Sequence, residues 1–127
     1  KIDKRFTTMA VKRVFQREII EVPFSLPDGQ ILVHPALVLS SEALQDYEDG
    51  MFYAVLISSK NHYPELTLEI KNEWLNKPLS KQSYFITHIV SMFNVDDVMT
   101  RYNNYIKDKY FDEILDKIIC TLFGRKN

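Results

Sequence analysis

Short runs of apolar and β-branched residues, separated by turn signals, dominate the chain and predict a mainly β fold. Pro27-Asp28-Gly29 is a strong turn signal that suits a type I turn begun at Leu26, and Asp49-Gly50 is a second turn signal. The strands predicted between these turns span residues 19–24, 30–39, 51–58, 66–70 and 83–93. Residues 51–58 form a nearly continuous apolar run, which indicates a buried central strand.

Residues 83–93 are the longest strand candidate, and we expect their side chains to alternate between two faces of the sheet. Strict alternation places one set on the first face (Tyr84, Ile86, His88, Val90) and the other set on the second (Phe85, Thr87, Ile89, Ser91). His88 would then share a face with apolar neighbours.

The last part of the chain has a helical period instead. Apolar residues from 111 to 123 follow the i, i+3, i+4, i+7 spacing of an amphipathic helix, with Asp108 as the expected cap at its start and Gly124 at its end. A shorter helical turn is expected at residues 41–46, with Ser40 or Ser41 as its N-cap.

Two other segments are less regular. Residues 95–107 allow two interpretations: a single turn capped by Asn94 and followed by an edge strand near residues 102–106, or a second helix. Residues 71–80 are a polar connector that Trp74 and Leu75 are expected to attach to the core.

Together these elements predict a mainly β fold with helical additions, in the α+β class, built as a small and strongly bent antiparallel barrel. The length of 127 residues suits a single domain with a real core, which we place at residues 13–127 after an N-terminal tail at residues 1–12.

Composition narrows the possible functions. An apolar fraction of 46% excludes a disordered chain, and the apolar runs are too short to span a membrane. The lone Cys120 excludes an internal disulfide and a cysteine-rich zinc site, and the three histidines lack close helical metal spacing. We therefore expect no metal and no cofactor, and a reducing, cytoplasmic location without a signal peptide. The net charge of −1 requires any nucleic-acid binding to use a local patch.

The most informative motif is His34-Pro35, at the beginning of an apolar strand. Proline fixes φ and lacks an N–H group, so it belongs at the start of a strand or on a sheet edge. His34 therefore lies where the chain leaves a loop and enters the sheet, which suits a side chain that must be both firmly held and reachable.

The order of these motifs resembles the PemK/MazF family of toxin endoribonucleases over roughly residues 16–124. Residues 19–24 read I-I-E-V-P-F, where the family has I-x-x-V-x-F. Residues 34–40 read H-P-A-L-V-L-S, where it has R-P-A-x-V-x-S. Residues 55–59 end in a serine pair and are followed by Tyr63-Pro64. His34 thus occupies the position of the family's arginine, and Ser58 that of its threonine.

This resemblance implies an SH3-like barrel of the PemK/MazF/CcdB type, a homodimer, and metal-independent cleavage of single-stranded RNA. It also implies control by a cognate antitoxin whose disordered tail covers the active groove. We expect no membrane association, because the apolar runs are too short to span a bilayer. Such a groove would be gated by the loop at residues 25–30.

Cleavage through the 2′-hydroxyl of RNA needs a base, an acid and hydrogen-bond donors to the charged phosphate. Histidine serves in either proton-transfer role, and the hydroxyl of Ser58 can donate a hydrogen bond to a phosphate oxygen, so we predict His34, Ser58 and His88 as catalytic residues. The predicted RNA-binding residues are Arg17, Gln30, Ser59 and Lys60.

The same barrel allows a second interpretation, in which the chain does not cleave RNA. It would then be an interaction module that acts on a protein target or binds RNA without cutting it.

Overall fold

A computed structural model describes residues 13–125, so the predicted tail at residues 1–12 lies outside the described part of the chain. Six strands form one sheet: β1 (Glu18–Ser25), β2 (Ile31–Val38), β3 (Met51–Ser58), β4 (Thr67–Glu69), β5 (Tyr84–Asn94) and β6 (Thr100–Tyr105). All pairings are antiparallel and the spatial order is β4-β5-β3-β2-β1-β6. The predicted mainly β fold is confirmed.

The β1–β2 hairpin is closed by the predicted turn. The N–H of Gly29 donates to the carbonyl of Leu26 over 2.9 Å, and the backbone of Gly29 adopts a φ of 89°. Glycine suits this position because it has no Cβ to oppose a positive φ. From this turn β1 and β2 pair continuously, from Ser25 opposite Ile31 to Ile19 opposite Leu37.

Two α-helices accompany the sheet: α1 (Glu42–Tyr47) and α2 (Asp108–Phe123). Ser41 is the N-cap of α1, although its side chain makes no capping hydrogen bond. The predicted cap of α2 was wrong by one position. Lys107 is the N-cap, and Asp108 begins the first turn, where its negative charge still favours the helix dipole. Gly124 ends α2 in the left-handed conformation, as predicted.

The segment after β5 follows the first of its two interpretations. Val95–Asp97 is a single 3₁₀ turn, and Asn94 caps it by accepting a hydrogen bond from the N–H of Asp96, while Asp97 reaches back to the N–H of Asn94. The chain then enters β6 at the edge of the sheet. Two further 3₁₀ turns, Pro64–Leu66 and Asn72–Trp74, flank β4, which is shorter than predicted.

Each face of the sheet is covered by its own apolar cluster. Helix α2 packs Phe111, Ile114 and Ile118 against the first face, together with the buried Trp74 and Leu75 of the connector. The second cluster lies on the opposite face, where alternate residues of the strands meet as the sheet bends. Its members include Val22 and Phe24 of β1, Ala36 and Val38 of β2, Ala54 and Leu56 of β3, and Ile86 and Phe93 of β5.

The predicted strict alternation along β5 was wrong. Val55 pairs with Val90 but the next residue, Leu56, pairs with Ile86, so three residues of β5 (Thr87, His88, Ile89) have no partner on β3. An odd number of extra residues exchanges the two faces. Val90 consequently packs in the first cluster with Phe85, and Ile89 packs in the second with Ile86.

Candidate functional site

A groove opens where two neighbouring strands separate. β2 pairs with β3 only from Ala36 to Val38, whereas β2 pairs with β1 as far as Ile31 and β3 pairs with β5 as far as Ser58. Pro35 contributes to this separation because it has no N–H to offer a neighbouring strand. The β1–β2 hairpin therefore diverges from the β3–β5–β4 part of the sheet, and the space between them is a cavity of ≈ 540 Å³.

The charge of this groove is one-sided. Its ionisable lining residues are His34, Lys60, His62, Tyr63, Lys81 and His88, with no aspartate or glutamate among the lining residues. These include all three histidines of the chain. The overall charge of −1 thus conceals a local concentration of cationic and proton-carrying side chains, which favours an anionic ligand.

His34 and Ser58 come from the two strands that separate. Along β2, His34 follows the alternation of Ala36 and Val38, and along β3, Ser58 follows that of Leu56. Both therefore lie on the face of the second apolar cluster, at the end where that cluster gives way to polar residues. His34 is half-buried beside Val22 of β1, its partner in the hairpin register.

The hydroxyl of Ser58 is oriented by the loop that follows it. Its oxygen accepts a hydrogen bond of 3.1 Å from the N–H of Lys60. A serine hydroxyl also carries one proton, which can donate to a ligand in the groove. Ser59 and Lys60 line the groove next to it, and both are exposed.

His88 reaches the groove from the three-residue bulge of β5. Its Nδ1 atom is buried and has no hydrogen-bond partner in the described part of the chain. Its ring contacts that of Tyr63 edge-to-face, with 6.3 Å between centroids and an interplanar angle of 80°. A buried polar atom without a partner is uncommon in proteins, and catalytic residues are one recognised cause.

Tyr63 belongs to the loop between β3 and β4. The side chain is 58% exposed, so it does not close a hydrophobic core. Thr67 stabilises this loop by donating from its hydroxyl to Asn61 Oδ1 over 2.7 Å. The N–H of Leu66 donates to the carbonyl of Tyr63 over 2.8 Å.

Two predicted RNA-binding residues lie away from the groove lining. Arg17 occupies a separate depression near β6, where its guanidinium donates to the carbonyl of Ile106 over 2.6 Å and lies 5.9 Å from the ring centroid of Tyr105. Its φ of 77° is unusual for a residue other than glycine. Gln30 is exposed at the hairpin turn, and only Leu26 of that loop lines the groove.

Three lining residues with titratable side chains were not among the predicted site residues: His62, Tyr63 and Lys81. His62 and Tyr63 follow the serine pair after Lys60 and Asn61, so their place in the sequence within five residues of Ser58 was the available signal. Lys81 lies in the connector before β5, and it reaches the groove because Tyr84 pairs with Ser58. That register cannot be read from the local sequence.

Other kinds of site are not found in the described residues. In residues 13–125, no group of three or more metal-ligating side chains is arranged to hold a metal ion. None of the helices in that range has the length and apolar character to cross a membrane.

A tyrosine outside the groove has a perturbed pKa. Burial raises the pKa of Tyr102 to about 12, and the Glu21 carboxylate adds to the shift by accepting its hydrogen bond and through its negative charge. The hydroxyl of Thr100 donates to the other oxygen of the same carboxylate. This cluster joins β1 to β6 and is structural.

Comparison with solved structures shows the same fold in several toxins. MazF from Deinococcus radiodurans superposes with a TM-score of 0.69 at 14% identity, covering 89% of this chain and 98% of that one. An endoribonuclease in complex with its cognate antitoxin, from a mycobacterial species, gives 0.68 at 10% identity, covering 90% and 99%. The Mycobacterium tuberculosis toxin MazF-mt6 gives 0.63 at 14% identity, covering 87% and 100%. No curated protein matches the sequence.

The family is shown by the sequence itself. Residues 15–122 match the family model of the PemK-like, MazF-like toxins of type II toxin–antitoxin systems. This match spans most of the chain and includes every strand and nearly all of α2. The chain therefore belongs to the PemK-like, MazF-like toxin family of type II toxin–antitoxin systems.

Proposed function

We propose that this toxin is a metal-independent endoribonuclease that cleaves single-stranded RNA in the groove between the β1–β2 hairpin and the β3–β5–β4 strands. The observation that carries the proposal is the composition of this groove. It collects all three histidines and two lysines, with no carboxylate among its lining residues. Such a surface attracts a phosphodiester and provides groups that can transfer protons.

The reaction begins with the 2′-hydroxyl of the RNA as an internal nucleophile. Its oxygen bonds to the adjacent phosphorus while its proton passes to an imidazole acting as base, and the bond from phosphorus to the 5′-oxygen breaks. A second imidazole, in its protonated form, gives a proton to that 5′-oxygen. The products are a 2′,3′-cyclic phosphate and a 5′-hydroxyl, with no metal or other reactant required.

We assign the two proton transfers to His34 and His88, which face the groove from opposite sides. Ser58 donates its hydroxyl proton to a phosphate oxygen, where negative charge develops in the transition state. Lys60 and Ser59 bind the same phosphate or its neighbour. In this arrangement His34 replaces the family's arginine, and its contribution of charge depends on its protonation.

The proposed partners follow from the family. We propose a cognate antitoxin that covers the groove, and a homodimer with a shared groove, in the cytoplasm. One solved structure with this fold is an endoribonuclease bound to its cognate antitoxin. Exposed apolar side chains at the end of α2, Leu122 at 40% and Phe123 at 69% exposure, offer a surface for a second copy.

The decisive experiment incubates the purified protein with long single-stranded RNA in the presence of a chelator and maps the RNA ends. We expect discrete cuts that leave cyclic phosphates, and we expect them to disappear in His34→Ala and in His88→Ala. Lys77→Gln is a suitable control, because Lys77 contacts the protein through its backbone and lies outside the groove.

The other outcomes are equally informative. Intact RNA across diverse sequences, combined with growth arrest when the protein is expressed, would contradict the ribonuclease and indicate a protein target. RNA that binds in the groove and stays intact would indicate a binding module without catalysis.

A further inference from the structure

We infer that Thr87 is a positioning residue whose buried hydroxyl fixes the ring pair of His88 and Tyr63 in the groove. This inference rests on the proposed ribonuclease function for its catalytic consequence, but not for its structural one. Thr87 does not line the groove and is fully buried, with 0% exposure.

The hydroxyl of Thr87 joins three elements. It donates to the carbonyl of Leu66 in the 3₁₀ turn before β4, over 2.5 Å, and it lies 2.8 Å from the hydroxyl of Thr121 on α2. A threonine hydroxyl has one proton and a carbonyl can only accept. Because the Thr87 proton is used toward Leu66, Thr121 must be the donor in the second hydrogen bond.

Both members of the ring pair are connected to this hydroxyl by short paths. His88 is the next residue after Thr87 along the bulge. On the other side, the carbonyl of Leu66 accepts from Thr87, and the N–H of Leu66 donates to the carbonyl of Tyr63 over 2.8 Å. One hydroxyl therefore holds the bulge of β5 against the loop that presents Tyr63.

The bulge depends on the hydrogen bonds of Thr87 because no strand pairing holds it in place. Residues 87–89 have no partner on β3, so their position is set by side-chain contacts instead of strand pairing. Lys117 of α2 also donates to the carbonyl of Glu65 over 2.8 Å, which holds the same turn against the helix. Helix α2 thus contacts the turn directly through Lys117, and Thr121 supports it only through the hydroxyl of Thr87, the residue next to His88.

The test compares Thr87→Val, which keeps the shape of the side chain but removes the hydroxyl, with Thr87→Ser, which restores it. In Thr87→Val we expect the nuclear Overhauser contacts between the His88 and Tyr63 rings to weaken. We expect kcat for RNA cleavage to fall about tenfold, with KM changed less than about twofold, because a small misplacement of a reacting group acts on the chemical step. Thr87→Ser should recover both.

Thr121→Val is the matched control, since it removes the second hydrogen bond but leaves the bond from Thr87 to Leu66. We expect it to keep the ring contacts and most of kcat. If Thr87→Val does not fold, Thr87→Cys replaces it, because cysteine has a similar volume and is only a weak donor. The cysteine variant should give an intermediate loss of the ring contacts.

The structural and the catalytic part of this inference are tested by different measurements. A wild-type protein that does not cleave RNA would refute the proposed function, while the ring contacts of the variants would still test the role of Thr87. A folded Thr87→Val protein with unchanged ring contacts would overturn the inference. So would a lost kcat that serine does not restore.

Discussion

If single-stranded RNA binds in the groove, its affinity should depend on salt in proportion to the lysines that line it. Lys60 and Lys81 are the lining residues with a permanent positive charge, and no lining carboxylate opposes them. Each phosphate neutralised on a single strand contributes a slope of about −0.7 to a plot of log affinity against log salt. Two lysines thus predict a slope of about −1.4, so a fourfold rise in salt weakens binding by about sevenfold.

Each single lysine substitution should remove about half of this salt dependence. Lys60→Gln and Lys81→Gln should each reduce it to about −0.7, so that the same rise in salt weakens binding by about 2.6-fold, and the double variant should be nearly independent of salt. Lys77→Gln, outside the groove, should keep the wild-type slope. The slope is measured at two mildly alkaline pH values, and equal slopes show that the count refers to the lysines.

The assay is fluorescence anisotropy with a labelled RNA whose 2′-hydroxyls are methylated, so that no nucleophile is present and the RNA stays intact. Circular dichroism of each variant serves to check that the variant is folded. The reasoning is refuted if the slope is the same in Lys60→Gln, Lys81→Gln and wild type, or if Lys77→Gln lowers it as much. Either result would place the RNA on another surface.

Three further predictions concern stability. The pKa of Tyr102 is raised to about 12, against 10.0 in the unfolded chain. The stability that the neutral phenol gives the fold is therefore complete below about pH 10 and is lost as the pH rises to about 12. Tyr102→Phe should remove that decline in unfolding experiments, and Glu21→Gln should lower the pKa of Tyr102 measured by tyrosinate absorbance. Arg17→Gly should be less destabilising than Arg17→Ala by about 1 kcal/mol in urea, because both lose the bond to Ile106 but only glycine relieves the positive φ. Gly50→Ala should cost more than Gly29→Ala, by about 1–3 kcal/mol. Both glycines have positive φ, but a Cβ at Gly50 would lie 3.0 Å from Val95 whereas one at Gly29 meets nothing within 4 Å.

The sequence predicted the elements well because most of them depend on local signals. Apolar runs bounded by Pro-Asp-Gly and Asp-Gly located β1, β2 and β3 within about two residues at each end. For residues 95–107 the sequence left a single turn and a second helix both open, and the structure has the single turn, whose capping-box contacts lie within four residues. Signals of this kind, such as apolar runs and turn residues, can be recognised within a short segment of the sequence.

The bulge in β5 could not be predicted in the same way. Alternation was expected along the whole strand, but the register changes by three residues between Val55 and Leu56 of the partner strand. Nothing within residues 83–93 specifies this change, because it depends on which residues of β3 and β4 lie opposite and on the hydroxyl contacts of Thr87. The error matters for the candidate site, since the bulge includes His88, which lines the groove.

The sequence grouped some of the residues that line the candidate site. His34, Ser58, Ser59, Lys60 and His88 line one groove although they come from three different segments of the chain, and the family resemblance was what grouped them. Arg17 was predicted to bind RNA, but the position of an arginine near the start of a strand does not indicate which acceptor its guanidinium will reach. The carbonyl of Ile106, 89 residues away along the chain, lies beside it only because β6 pairs with β1.

If His34 stands where the family has an arginine, as the sequence resemblance implies, the placement of the histidines gives that exchange a chemical meaning. An arginine in this position would supply fixed charge, and the groove already has fixed charge from Lys60 and Lys81. Without His34 the groove would lack a proton carrier on the side opposite His88. The remaining histidine, His62, lies on the exposed loop with Tyr63, whose ring contacts that of His88. In the proposed reaction the lysines then hold the phosphate while two imidazoles exchange protons with the 2′- and 5′-oxygens. His34→Arg should consequently bind RNA more tightly and cleave it more slowly, and a variant that cleaves faster would show that fixed charge, not proton transfer, limits the reaction.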